Sequence, residues 1–330
     1  MLYQQVHSDP DVFSIRVPAY RIAPVVTNCY VVKDGGETLV VDSGAPTDEG
    51  YALLSSALRE LGVEPVQAVF FLTHFHIDHA GLVDRIAPAG ARVCASAIDL
   101  EVAQAPSGDS FDSSVTSSLI DEGVSTAEAE LYAGSVRGLV AFDLERPGIE
   151  PVRDGDVLHV GRYCFQVVGT PGHTPGHVSL FEASSGILFG GDHILFGISP
   201  CIAVFPDGAD GVRAYLDSLE KVRALGCRKL LHAHGSLRDG VSERVDWLIR
   251  HHRQRLDEAV GLIADAPGMT GEEIIGKIGW SIPFPTWEEV PAGQRWCILC
   301  EGAALLNHLV IDGRVSRGRD ERGVFRYTIG

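Results

Sequence analysis

Three histidines and an aspartate crowd the stretch Thr73-His74-Phe75-His76-Ile77-Asp78-His79-Ala80-Gly81. Imidazole and carboxylate are the ligand types that suit zinc and related divalent ions. The apolar run Ala68-Val69-Phe70-Phe71-Leu72 stands directly before them and reads as a buried parallel strand. The cluster therefore falls on the loop at the carboxyl end of that strand, where α/β sheets place their ligands. A rigid strand can aim several donors at one point. A single loop histidine is commonly no more than a solvated side chain. His74, His76, Asp78 and His79 together behind a strand predict a metal site, and the spacing alone predicts nothing finer.

The elements that must position this cluster follow from hydrophobic periodicity. Val12 to Val17 and Asn28 to Lys33 read as strands. Asp34-Gly35-Gly36 is a hairpin signal, and Thr38 to Val41 returns antiparallel before Asp42-Ser43-Gly44. A helix opens at Pro46-Thr47-Asp48, carries Tyr51, Leu54, Leu58 and Leu61 on one stripe, and stops at Gly62. The cluster strand follows, then a helix from about Ala80. Further strands are expected at Val157 to Val160, Tyr163 to Val168, Ile187 to Asp192 and Lys229 to Leu231, with a helix over Gly211 to Leu225 between the last two. This alternation predicts a layered α/β sandwich. Residues 104–147 interrupt it with a polar loop and Ala/Glu-rich helical stretches. They read as a lid-like insertion that governs substrate choice rather than stability.

A second module is expected over 244–330, leaving 1–243 as the catalytic one. A long helix with Val245, Leu248, Ile249, Leu256, Val260 and Ile263 ends near Pro267-Gly268. Thr270-x-x-Glu273 is a capping box. A third helix spans about Ala292 to Ile311, with Trp296, Leu299, Ala303, Leu306 and Val310 as its stripe, and Val315 to Ile329 reads as a two-stranded ribbon.

His-x-His-x-Asp-His resembles the signature of the metallo-β-lactamase superfamily in its binuclear hydrolase branch, and the likeness extends along most of the chain. It implies an αββα sandwich with two metals at one edge of the paired sheets. Asp42 matches the carboxylate that holds a metal-bound histidine. Gly169-Thr170-Pro171-Gly172-His173-Thr174-Pro175-Gly176-His177 matches the Pro-Gly-His-Thr-x-Gly-His segment, which makes His173 a ligand and His177 structural. Asp192 matches the bridging carboxylate and His234 the closing ligand, with His232 outside the ligand set. By this carry-over His74, His76 and His173 hold one ion, Asp78, His79 and His234 the other, and Asp192 bridges them. The implied nucleophile is a metal-bound hydroxide, with Asp78 and Asp192 as the candidate catalytic residues for proton handling. Zinc suits the His-rich set, and manganese and iron also occupy such sites. The glutamate that marks diiron relatives is absent, since His76 stands in its place, which points to hydrolysis. The branch resembled is that of hydroxyacylglutathione hydrolases, implying a thioester, ester or lactone substrate. The Asp-x-x-Tyr of acyl-homoserine lactonases is missing, with Leu195 at the tyrosine position. Three helices and a ribbon resemble a winged helix, and a relative bearing one acts on single-stranded RNA, so a metal-dependent ribonuclease is the second reading.

Charge weighs between these readings. The formal net charge is −17, which opposes a phosphate-coating nucleic-acid binder and leaves a small-molecule substrate. Residues 246–330 hold ten basic and twelve acidic side chains, so a homodimer through the C-terminal module is expected before a nucleic acid. No run approaches bilayer length and Met1 to His7 shows no export signal, so no membrane partner is expected. Seven scattered cysteines fit a reducing cytoplasm. The apolar loop Ile194 to Phe205 behind Asp192 is expected to line the mouth of the site.

Overall fold

The structure, a computed structural model, describes residues 1–19, 26–104, 111–136 and 146–330. Two compact units divide the chain. The first comprises 1–104, 138–200 and 218–245, and the second 105–137, 201–217 and 246–330.

In the first unit, strands β1 (Gln4–Ser8), β2 (Asp11–Pro18), β3 (Val26–Asp34), β4 (Glu37–Val41), β5 (Val69–Phe71), β6 (Arg92–Ser96) and β7 (Ile149–Val152) form one sheet in sequence order. Pairing is antiparallel from β1 to β4 and parallel from β4 to β7. The β3–β4 hairpin pairs Asp34 with Glu37 across Gly35 and Gly36, both at positive φ, which is the backbone a two-residue turn between twisted strands demands. The second sheet has the order β12-β11-β10-β9-β8, from β8 (Val157–Val160), β9 (Tyr163–Gly169), β10 (Val178–Glu182), β11 (Ile187–Gly191) and β12 (Lys229–His232). Its strands are antiparallel except the β11–β12 pair.

Alternation along the strands sorts the side chains into two cores. Tyr30, Val32, Leu39, Val41 and Phe71 face Phe165, Val167, Leu180, Phe189 and Leu231 between the sheets. Their neighbours Val31, Val40 and Phe70 turn the other way, onto Leu54, Ala57 and Leu58 of the helix Asp48–Glu60. Burying one such Phe or Leu side chain stabilises by about 1.5–3 kcal/mol. Both faces of β4 and β5 are therefore covered, which accounts for their unbroken apolar sequence. At the end of β9, Ser218 Oγ donates to Pro171 O (3.0 Å) and Lys221 Nζ to Gly169 O (2.9 Å), both from the later part of the helix Gly211–Leu225, which lies in the first unit.

One expected element is broken. Instead of a helix from Ala80, the chain makes single turns over Ile77–Ala80 and Val83–Ile86. The carbonyl of His79 accepts from Ser43 N (2.7 Å) and Ser43 Oγ (2.9 Å). It is committed to the turn after β4 and does not continue a helical ladder. The strands β1, β6, β7 and β10 were not among the expected ones.

The second unit contains the helices Phe111–Asp121, Thr126–Val136, Gly271–Ile275 and Ala292–Ile311, most of the helix Val241–Asp265, and a ribbon of β13 (Val315–Arg319) and β14 (Phe325–Ile329). Thr270 and Glu273 form the expected reciprocal cap. Helix Ala292–Ile311 is buried around most of its circumference, at Ile298, Cys300, Ala304 and Leu305 as well as Trp296, Leu299 and Leu306. The described part of the expected insertion belongs to the second unit. Val115, Leu119, Ala129 and Tyr132 are buried in the second unit. Tyr327 Oη donates to Glu122 (2.8 Å), Glu272 N to Glu122 O (2.9 Å), and Arg319 makes two 2.7 Å bonds to Asp121. The remainder of the expected lid, 105–110 and 137–145, lies outside the described residues.

Candidate metal centre

Five chain segments deliver polar side chains to one edge of the first unit, each directly after a strand. Asp42 follows β4, His74 to His79 follow β5, Thr170 to His177 follow β9, Asp192 follows β11, and His232 to His234 lie at and just past the end of β12. The two sheets are joined there. Tyr30 Oη donates to His232 O (2.6 Å), and Asn28 donates through Nδ2 to His232 O (3.1 Å) and Gly235 O (3.0 Å).

Among the described residues, potential ligand atoms gather within 4.8 Å of one another in three groupings: His74, His76 and His173; His74, His79 and Asp192; and Asp78, His79 and His234. All seven residues anticipated from sequence thus converge. His74 Nε2 and His173 Nε2 lie 2.9 and 3.0 Å from His76 Nδ1. His79 Nε2 and His234 Nε2 lie 3.3 Å apart. Asp192 stands between the sets, with Oδ2 3.5 Å from His173 Nε2 and Oδ1 3.1 Å from His234 Nε2. His232 stays outside, its ring 5.4 Å from that of Phe196.

The outer hydrogen bonds fix which nitrogens carry protons. His234 Nδ1 faces the carbonyl of Val26 (2.9 Å), and His79 Nδ1 faces Asp42 Oδ2 (2.8 Å). Both partners only accept, so both Nδ1 atoms donate. In the neutral rings the Nε2 lone pairs then point at each other and at the carboxylates of Asp78 and Asp192. Thr73 Oγ1 donates to Asp42 (2.9 Å) and faces His74 Nδ1 (3.1 Å), which turns a lone pair of His74 inward as well. Asp192 Oδ1 is buried without a hydrogen bond of ordinary geometry. A buried collection of acceptors is stable only around cations. The donor set therefore fits divalent metal.

Charge on the protein's own groups follows the same logic. Burial first, and neighbouring imidazoles second, hold His74 and His76 well below the ordinary histidine pKa. Burial also opposes charge on His79 and His234, but Asp192 and Asp78 outweigh it and raise both. Burial of Asp192 is likewise outweighed by His234 and His79, which keep it ionised.

Backbone geometry serves the site too. Asp42 has φ 59°, a rare conformation for a non-glycine residue, and accepts from Thr73 N (2.8 Å) in addition to His79. His177 is structural: Nδ1 meets Thr170 Oγ1 (2.8 Å) and Nε2 accepts from Asp192 N (3.1 Å). Gly191 has φ 49°, and a Cβ there would lie 2.7 Å from His177 Nε2 and 2.8 Å from Thr73. Only glycine lets β11 deliver Asp192 past that ring. One site feature escaped the sequence reading. Asp99, on the helix Ala97–Ala103, is buried at the back of the cluster, its pKa raised to about 7 by burial against three opposing donors. An aspartate three residues past a strand carries no local signal of this.

A family model described as the metallo-beta-lactamase superfamily matches residues 22–234. The chain belongs to the metallo-beta-lactamase superfamily. Members of this superfamily typically bind divalent metals. The chain is 27% identical over 279 residues to a probable metallo-hydrolase of Bacillus subtilis, covering 81% of this chain and 85% of the relative. An atrochrysone carboxyl ACP thioesterase of Aspergillus fumigatus is 24% identical over 270 residues, covering 76% of this chain and 67% of its own. Among solved structures, a metallo-beta-lactamase family protein from Thermus thermophilus superposes with TM-score 0.78 at 26% identity, covering 97% of this chain and 98% of the other. A beta-lactamase domain protein from Burkholderia ambifaria gives TM-score 0.82 at 25% identity, covering 99% and 94%. The superfamily homologues of this chain are metallo-hydrolases. No helix among the described residues is long and apolar enough to cross a membrane.

Proposed function

We propose that the protein is a binuclear metal-dependent hydrolase of thioesters, esters or lactones with an apolar acyl part, similar to the hydroxyacylglutathione-hydrolase branch. The observation that carries this is Asp192, whose two oxygens face different histidine sets, Oδ2 toward His173 and Oδ1 toward His234. In this reading His74, His76 and His173 hold one ion and Asp78, His79 and His234 the other, with zinc favoured by the imidazole-rich donors. Bound metal supplies water activation and polarisation of the substrate carbonyl. Asp42, Thr73 and the Val26 carbonyl fix the imidazole tautomers, so that lone pairs rather than N–H groups face the reacting centre. Asp78 and Asp192 would be the carboxylates available for proton handling in the reaction.

The substrate class rests on charge and on the thioesterase among the relatives, since the loop after Asp192, expected to line the mouth of the site, offers little apolar surface. Ile194, Leu195, Ile202 and Ala203 are buried, so the loop is largely core; Ile198 is 53% exposed, and Phe196, Val204 and Phe205 are half-buried. Arg244 holds this loop by donating to the carbonyls of Leu195 and Ile198 (both 2.6 Å). A relative named as a thioesterase supports an acyl substrate. The ribonuclease reading needs a basic track on a chain of net charge −17. In the winged-helix-like second unit, the helix Ala292–Ile311, which would have to enter a groove, is mostly buried. The test is a panel of acyl thioesters, aryl esters, lactones and short single-stranded RNA with zinc- or manganese-loaded protein. Acyl turnover above RNA cleavage is expected. Metal-dependent RNA cleavage that falls with salt and is lost in Arg317→Glu/Arg319→Glu would reverse the assignment.

A further inference from the structure

We infer that Asp99 is a positioning residue that sets the spacing between the two loops carrying His74, His76 and His173. The inference rests on the metal-centre reading above and assigns a role to a residue outside the ligand motifs. Asp99 lies two residues into the helix that starts where β6 ends, and it is 3% exposed. Its Oδ2 accepts from Phe75 N (3.2 Å), the residue between His74 and His76. The same oxygen accepts from Thr174 Oγ1 (3.0 Å), next to His173. Its Oδ1 accepts from Gly176 N (2.7 Å). One carboxylate thus takes three donors from two loops a hundred residues apart in sequence, and takes them at the positions flanking the ligands.

The fit is close enough to explain a glycine of the Pro-Gly-His segment. A Cβ at Gly176 would lie 2.4 Å from Asp99 N and 2.6 Å from Asp99 Oδ1, so the loop must press its bare backbone against the helix start. Other links between the loops include a backbone bond, Val178 N to Thr73 O (2.9 Å), the His173–His76 contact at 3.0 Å and the packing of the His74 ring against those of His173 and His177. A ring contact between would-be ligands cannot survive as a hydrogen bond once both nitrogens serve a metal. Asp99 remains as a polar tie at the residues flanking the candidate ligands. Carboxylate is the right chemistry, being acceptor-only with room for all three donors, whereas an amide would turn N–H toward Phe75 N or Gly176 N.

The experiment is Co²⁺ titration of metal-stripped wild type, Asp99→Ala, Asp99→Asn and Thr174→Val, reading the visible absorption bands and the affinity by chelator competition. Melting temperatures in chelator are measured alongside. Asp99→Ala is expected to bind cobalt about 10–100-fold more weakly, with altered bands, and turnover recovered by added metal. Asp99→Asn and Thr174→Val are expected to fall between it and wild type. If Asp99→Ala does not fold, the two milder variants decide by the same readings. Variants that melt lower yet bind cobalt with wild-type affinity and wild-type bands would overturn the inference, leaving Asp99 a structural tie only. A wild-type chain that takes up no cobalt defeats the metal-centre reading itself, a different outcome from four chains that bind alike.

Discussion

Replacing Asp42 with asparagine tests whether tautomer control builds the centre. The side chains are isosteric, and asparagine tolerates the φ of 59° found there. In the wild-type chain Asp42 Oδ1 accepts from Thr73 N (2.8 Å) and Thr73 Oγ1 (3.1 Å), Oδ2 accepts from His79 Nδ1 (2.8 Å), and no donor is asked of the side chain. An amide has one acceptor oxygen, and the two Thr73 donors hold it. The NH₂ group is left facing His79 Nδ1, which must accept. The ring then carries its proton on Nε2, 3.3 Å from His234 Nε2 and 3.6 Å from Asp192 Oδ1, in the space a metal would fill. Loss of such an outer-shell partner weakens metal by about 10–100-fold, or roughly 1.4–2.7 kcal/mol. The assay is metal affinity by chelator competition, with turnover at limiting and saturating zinc. Weak binding and turnover restored by zinc are expected, with the fold intact by circular dichroism. Affinity within about twofold of wild type would refute the claim that Asp42 acts by fixing the tautomer.

Three further outcomes follow from the same structure. His76→Ala should abolish turnover and lower metal stoichiometry while leaving the melting temperature of the stripped protein nearly unchanged, because His76 is only partly buried; a metal-loaded, active variant would remove it from the ligand set. Leu119→Ala should cost about 2–5 kcal/mol in denaturant unfolding, since Leu119 is fully buried in the second unit; an unchanged midpoint would restore the insertion to a peripheral role. Glu122 is held at about 7 by burial, against Tyr327 and Arg317. Its folded pKa is above the unfolded one, so the protonated form is the stable one and stability falls as pH rises from about 4.5 through about 7. Glu122→Gln should flatten that part of the melting-temperature profile, and a variant profile parallel to wild type would contradict the assignment.

The sequence by itself determined the candidate ligand types, their order and most of the strands behind them. His173, Asp192 and His234 entered the candidate set through the resemblance of their segments to the superfamily's motifs, whereas His74 to His79 stand behind an apolar run, which is a local signal. The hairpin glycines, the Thr270 cap and the helix Ala292–Ile311 were legible for the same reason, since each is decided within a few residues of chain. Tertiary structure alone decided the rest. The helix expected after His79 is broken because its carbonyl is taken by Ser43, a partner 36 positions away. The insertion is tied to the ribbon where Tyr327 meets Glu122 across 205 positions. Asp99 became part of the site because Phe75, Thr174 and Gly176 arrive at it from two separate strand ends. Local periodicity shows which residues seek burial or a ligand. Which donor meets which acceptor is a property of packing, and a buried carboxylate takes its meaning from the donors that the fold brings to it.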